Sequence, residues 1–172
     1  LLGATNTWTA FHCHGRAFVS TGLDEYHFYA EIIARQTGCR VVMPDYRLAP
    51  EHPYPAAPDD CFKAYCGLLE HGVPPTTIVL IGESCGGSLA VGLLVRLRDA
   101  GLPQPACFVS LTGWFDLSVS GETVQGRDPF LTPQWVRNRG RDYLAGKLAL
   151  DDPLVSPAYA DLRGLPPMYL QI

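Results

Sequence analysis

The chain has no long hydrophobic run, no run of basic residues, no CxxC pair, and no lysine or arginine in its first fifteen residues. Each absence excludes something. The longest apolar stretch, residues 89–95, is followed at once by Arg96 and Arg98. It falls far short of the roughly 20 residues needed to span a bilayer. Lys and Arg number 13 against 17 Asp and Glu, a net charge of −4, so no phosphate-tracking surface is expected and nucleic acid is excluded as a partner. With no basic residue near Leu1, no signal-peptide n-region is expected in these residues. The six cysteines (Cys13, Cys39, Cys61, Cys66, Cys85 and Cys107) are scattered and read as free, buried thiols in a reducing, cytoplasmic compartment. The chain opens on Leu1 and closes on the strand-like residues 168–172, so a piece of a longer protein is expected.

What is present is a globular composition, 47% hydrophobic and 17% charged over 172 residues. Strand-type and helix-type segments alternate. Residues 7–13 read as a strand. Residues 24–36 read as a helix with Phe28, Tyr29, Ile32 and Ile33 on one face, stopped by Gly38. A short strand at 39–43 and a proline-rich loop at 44–58 follow. A helix at 59–70 presents Cys61, Phe62, Tyr65, Leu68 and Leu69. Ile78-Val79-Leu80-Ile81 is a fully apolar strand of the buried parallel type. The helix at 89–98 is apolar nearly all round and so is expected at the centre. Another strand spans 107–111. The stretch 118–150 is more polar and reads as a helical insertion, with Thr132-Pro133 as N-cap and first turn of a helix running to 144. This alternation predicts one α/β domain with a mostly parallel sheet and helices on both faces.

The chemistry sits in Gly82-Glu83-Ser84-Cys85-Gly86-Gly87. A buried strand precedes this G-x-S-x-G turn and a buried helix follows it, the context of a nucleophile elbow. Gly82 and Gly86 are expected to permit the sharp turn, leaving Ser84 exposed and the Cys85 N–H facing a developing oxyanion. A second element, His14-Gly15-Arg16-Ala17-Phe18, follows the first strand, and Tyr46-Arg47-Leu48-Ala49-Pro50-Glu51-His52-Pro53-Tyr54-Pro55-Ala56 lies between the two.

Together these segments resemble the hormone-sensitive-lipase-like (bacterial class IV) carboxylesterases and lipases of the α/β-hydrolase fold. That family carries an HGGGF-type loop, a YRLAPEHPFPA-type segment and a GDSAGG-type elbow, in this order. Residues 151–157 and Leu165-Pro166-Pro167 also look like the family, so the resemblance covers nearly the whole chain. It implies an α/β-hydrolase catalytic domain over residues 1–172, truncated at both ends, with 118–150 as part of a cap. It also implies carboxylic ester hydrolysis on small-molecule esters through a Ser84 acyl-enzyme, with neither a metal nor an organic cofactor. Backbone N–H groups of Gly15, Arg16 and Cys85 would form the oxyanion hole, supported by His14, Gly82, Glu83 and Gly86.

Two departures stand out. Arg16 and Ala17 occupy positions where the family has glycine, which permits backbone angles that they resist. Glu83 and Cys85 replace the usual Asp and Ala, and Cys85 is expected to contribute its N–H and not its thiol. The five histidines (His12, His14, His27, His52 and His71) all precede Ser84, whereas the fold places the acid and then the histidine after the serine. The acid and histidine are therefore expected beyond residue 172. The alternative is a non-catalytic small-molecule-binding relative that has lost the histidine, with Arg16 suited to an anionic ligand. Asp116 is a second acidic candidate and reads more simply as a turn residue. His12 and His14 share a strand face, but a pair without a third ligand makes no metal site. Asp45, Arg47, Glu51 and His52 are expected to hold the proline-rich loop by internal ion pairs and hydrogen bonds.

Overall fold

The computed structural model describes residues 4–20, 22–121, 128 and 130–172. Five parallel strands form one sheet in the order β2-β1-β3-β4-β5. They are β1 (Thr9–Cys13), β2 (Arg40–Val42), β3 (Ile78–Glu83), β4 (Cys107–Leu111) and β5 (Met168–Gln171). Among the described residues four α-helices connect or flank them: α1 (Leu23–Thr37), α2 (Ala56–Glu70), α3 (Cys85–Asp99) and α4 (Pro133–Leu144). The expected α/β-hydrolase architecture is thus present. Of the polar stretch 118–150, residues 122–127 and 129 lie outside the described residues. Among the described residues no helix is long and apolar enough to cross a membrane.

Alternation along β1 places helices on both faces. Phe11 meets Tyr65 of α2 edge-on, with ring centroids 5.9 Å apart. The next residue, His12, faces the other way and lies 5.3 Å from the Tyr29 ring of α1. The core beneath α2 and α3 gathers Phe11, Tyr65, Ile78, Leu80, Leu94, Leu97 and Phe108, all fully buried. Helix α3 is the central one, as its all-round apolar pattern predicts: Leu89, Ala90, Val91, Leu93, Leu94 and Leu97 are all buried.

The helix boundaries and one helix face differ from the sequence expectation. Helix α2 starts at Ala56, not 59, because Pro58 falls in its first turn, where a missing N–H costs nothing. Helix α3 starts at Cys85, not 89, so the glycines of the elbow form its first turn. In α1, Phe28 and Ile32 are exposed (71% and 42%), whereas Tyr26 is buried. The helix is rotated toward Tyr26, Tyr29 and Ile33 because the Tyr26 hydroxyl is anchored at the site. Arg47 pairs with Asp60 of α2 at 2.8 and 2.9 Å, so the proline-rich segment is tied to a helix and not braced internally as expected. All six thiols are free, but Cys39, Cys66 and Cys107 are only partly buried.

The chain runs from β1 to β2 on one side, then crosses back past β1 to place β3 on its other flank. The direction of winding reverses between β1 and β3, with Cys13 opposite Gly82 at their carboxyl ends. That crevice is where open α/β sheets bind ligands.

Candidate active site

Two loops leave the sheet at this reversal. Residues 14–18 follow β1, and Ser84 joins β3 to α3. Ser84 has φ 51° and ψ −122°, a conformation rarely adopted by residues with a side chain. Gly82 and Gly86 permit the sharp turn, as expected, but not through their own dihedral angles. Neither has a positive φ, and Ser84 itself carries the turn. The glycines are needed for close approach: a Cβ on Gly82 would lie 2.6 Å from the Gly86 carbonyl oxygen, and one on Gly86 only 2.0 Å from that of Cys13. The strained serine is held from three sides. Its N–H donates to the Leu111 carbonyl at 3.1 Å, and its carbonyl accepts Gly87 N–H at 2.9 Å and Trp114 N–H at 2.8 Å.

The 14–18 loop is equally unusual. Arg16, Ala17 and Phe18 have φ of 79°, 57° and 66°, three consecutive left-handed residues without a glycine among them. The substituted positions therefore keep the backbone shape that glycine would favour. The Phe18 ring stacks on Tyr143 of α4, with centroids 3.9 Å apart and planes 9° from parallel. The Phe18 carbonyl accepts Ala49 N–H at 2.9 Å, and Phe18 N–H donates to Cys85 Sγ at 3.2 Å. Burial pushes the Cys85 thiol up to about 12, so it stays protonated.

The Gly15 N–H donates to the Tyr26 hydroxyl at 3.1 Å, and that hydroxyl donates to Glu83 Oε2 at 2.6 Å. Gly15 thus departs from the expected donor set, because its N–H is already engaged. Burial and the neighbouring Glu83 carboxylate hold the Tyr26 phenol well above its usual range. A Cβ on Gly15 would lie 2.1 Å from Glu83 Oε2, which is why glycine stands there. His14 is fully buried and stacks on Tyr46 at 4.1 Å; its Nδ1 lies 3.2 Å from the Gly15 carbonyl. Tyr46 donates to the His14 carbonyl at 2.8 Å. Burial lowers the His14 pKa, leaving a neutral ring that braces the loop. His12 is fully buried beside Tyr29, and burial, with His14 adding a smaller push, lowers its pKa to about 4. Among the described residues no group of three His, Cys, Asp or Glu side chains is placed to hold a metal ion.

Ser84 opens into a cavity of about 790 Å³ walled by Arg16, Trp114, Phe115, Leu131 and Trp135. Asp116 also lines it, yet both carboxylate oxygens are taken by Ser118 and Ser120, at 2.5 to 2.9 Å. Burial raises the Asp116 pKa, and those hydrogen bonds outweigh it to give a net lowering. Asp116 is the turn residue its position suggested. Sequence reasoning missed Tyr26 and the acceptor role of the Cys85 sulfur. Tyr26 belongs to no motif, and the thiol looked inert from its neighbours alone.

Comparison with known proteins agrees with this geometry. A family model described as the alpha/beta hydrolase fold matches residues 10–172. The chain is 36% identical over 172 residues to an esterase of Acinetobacter venetianus, covering 98% of this chain and 57% of the relative. It is 38% identical over 167 residues to an acetyl-hydrolase of Streptomyces hygroscopicus, covering 95% and 56%. The crystal structure of an esterase from the bacterial hormone-sensitive lipase family superposes with a TM-score of 0.93 at 42% identity, covering 99% of this chain and 58% of that one. The chain therefore spans somewhat more than half the length of these three proteins. This chain belongs to the α/β-hydrolase family, in the hormone-sensitive-lipase-like branch.

Proposed function

We propose that this chain carries the nucleophile and the oxyanion-stabilising part of a serine carboxylic ester hydrolase acting on small esters. The observation that carries this reading is the Ser84 elbow, strained at φ 51° and opening on the 790 Å³ cavity. Ser84 Oγ attacks the ester carbonyl carbon and gives its proton to a base. The carbonyl oxygen becomes an oxyanion facing the Arg16 and Cys85 N–H groups, the latter in the first turn of α3, where the helix dipole also favours negative charge. The ester C–O bond then breaks, the alcohol leaves with the proton, and a serine acyl ester remains. Water, activated by the same base, repeats the attack and restores Ser84. No histidine follows Ser84 in this chain, so the base and its orienting acid come from outside these 172 residues.

The test is hydrolysis of p-nitrophenyl butyrate by the full-length protein and by the 172-residue chain. Full-length protein is expected to turn over, and Ser84→Ala to abolish that turnover. The 172-residue chain is expected to show little. Turnover that survives Ser84→Ala overturns the assignment of the nucleophile. A normal esterase rate from the 172-residue chain overturns the external base.

A further inference from the structure

We propose that the Cys85 sulfur is a positioning group that pins the 16–18 loop in its left-handed path, and so allows Arg16 and Ala17 to stand where the family pattern has glycine. This rests on the ester-hydrolase reading of the site. Cys85, the departure in the elbow after β3, accepts a hydrogen bond from Phe18, the residue that directly follows the departures Arg16 and Ala17 in the loop after β1.

The argument begins with the backbone. Three consecutive residues with side chains are held at φ 79°, 57° and 66°. Each such residue is disfavoured, and a run of them persists only where its surroundings over-determine it. Within the loop, Val19 N–H and Ser20 Oγ donate to the Arg16 carbonyl at 3.3 and 3.2 Å, and the Phe18 ring lies 5.6 Å from that of Trp114. The ring of Phe18 is fixed by Tyr143, and its carbonyl by Ala49. Its N–H, in a fully buried residue, has the Cys85 sulfur as its partner at 3.2 Å. An alanine at position 85 offers no acceptor, whereas glycines at 16 and 17 would follow the left-handed path without strain and so depend less on a pin. Burial keeps the thiol protonated, and the Phe18 and Ala17 amides and Tyr46 pull in the opposite direction. The sulfur therefore acts here as an acceptor and not as a nucleophile. Arg16 lines the cavity, and with its N–H assigned to the oxyanion under the ester-hydrolase reading, the path of this loop sets the geometry of that stabilisation.

The experiment compares Cys85→Ala, Cys85→Ser, the pair Arg16→Gly with Ala17→Gly, and that pair combined with Cys85→Ala, all in the full-length protein. Two quantities are read: kcat and KM on p-nitrophenyl butyrate, and the hydrogen-exchange rate of the Phe18 amide. Cys85→Ala is expected to lower kcat at least about 10-fold, toward the 10²–10³-fold cost of one lost oxyanion donor. KM should stay within about two-fold. Phe18 exchange should quicken by about 10-fold or more, while β3 and α3 amides keep their protection. Cys85→Ser should fall between, since its oxygen accepts but reaches less far. In the glycine-pair background Cys85→Ala should cost little kcat. An equal loss in both backgrounds, or Phe18 exchange unmoved by Cys85→Ala, overturns the proposal. Should Cys85→Ala alone fail to fold, Cys85→Ser and the glycine-pair combination decide by the same criteria. Absence of turnover in the unmutated full-length protein would sink the ester-hydrolase reading alone, and the exchange result would then decide the sulfur's role.

Discussion

The Tyr26 hydroxyl donates to Glu83 Oε2 at 2.6 Å while accepting the Gly15 N–H at 3.1 Å. One phenol thereby joins helix α1, the elbow and the loop after β1. Tyr26→Phe removes that oxygen and leaves a buried N–H and a half-buried carboxylate without it. The variant should lose about 1–3 kcal/mol of stability. A urea titration should show a lower midpoint at unchanged slope. An unmoved midpoint would mean that the phenol holds nothing together.

Gly86 is a contact-limited position. A Cβ there meets the Cys13 and His14 carbonyl oxygens at 2.0 and 2.6 Å, and both are backbone atoms that cannot swing aside. Gly86→Ala should cost at least about 3 kcal/mol, the upper end of overpacking effects. Gly67→Ala provides the control, because a Cβ at that position in α2 meets nothing within 4 Å. It should stabilise by about 0.5–1 kcal/mol through helix propensity. Urea midpoints moving in the same direction for both variants would contradict the packing argument.

His12 gives the fold an acid limb. Its folded pKa, about 4, lies below the unfolded value of 6.5 because burial disfavours the charged ring. Between those values the unfolded chain binds more protons, so stability is full above pH 6.5 and falls as pH drops toward 4. The lost contribution is about 3 kcal/mol. His14, lowered in the same direction, adds to it. Urea midpoints measured from pH 7.5 to 4.5 should decline, and His12→Leu should flatten part of that decline. An identical pH profile in the variant would show that His12 does not drive it.

Thr132 caps α4, its Oγ1 accepting Trp135 N–H at 3.2 Å. Thr132→Ala should cost about 1 kcal/mol and quicken exchange of the Trp135 amide. The effect should reach the site, because α4 carries the Tyr143 ring on which Phe18 stacks.

The sheet and the elbow were legible because they rest on local, repeated signals. Ile78-Val79-Leu80-Ile81 is an unbroken apolar run, and β3 occupies it with Ile78 and Leu80 fully buried. Ser84 was legible because glycines two residues to either side, between a buried strand and a buried helix, leave few other structures open. The Thr132 cap was legible for the same local reason. The rotation of α1 was not. Phe28 and Ile32 look like core by periodicity, but two hydrogen bonds at Tyr26 fix the helix angle, and their partners lie 11 and 57 residues away. The engagement of the Gly15 N–H and the sulfur contact to Phe18 were hidden for the same reason, since both depend on which side chains the fold brings across. Arg47 was read as bracing its own loop, yet its partner Asp60 lies 13 residues on, in the next helix.

The reversal of winding between β1 and β3 also bears on how the site comes into existence. Cys13 and Gly82 are register partners, so roughly 70 residues of chain must loop back before they pair, an entropic cost paid ahead of any contact that rewards it. Ser84 and the loop after β1 are contributed by opposite ends of that closure. The Phe18–Cys85 contact joins the segments that follow β1 and β3, so in refolding it is expected to form no earlier than the pairing of those two strands.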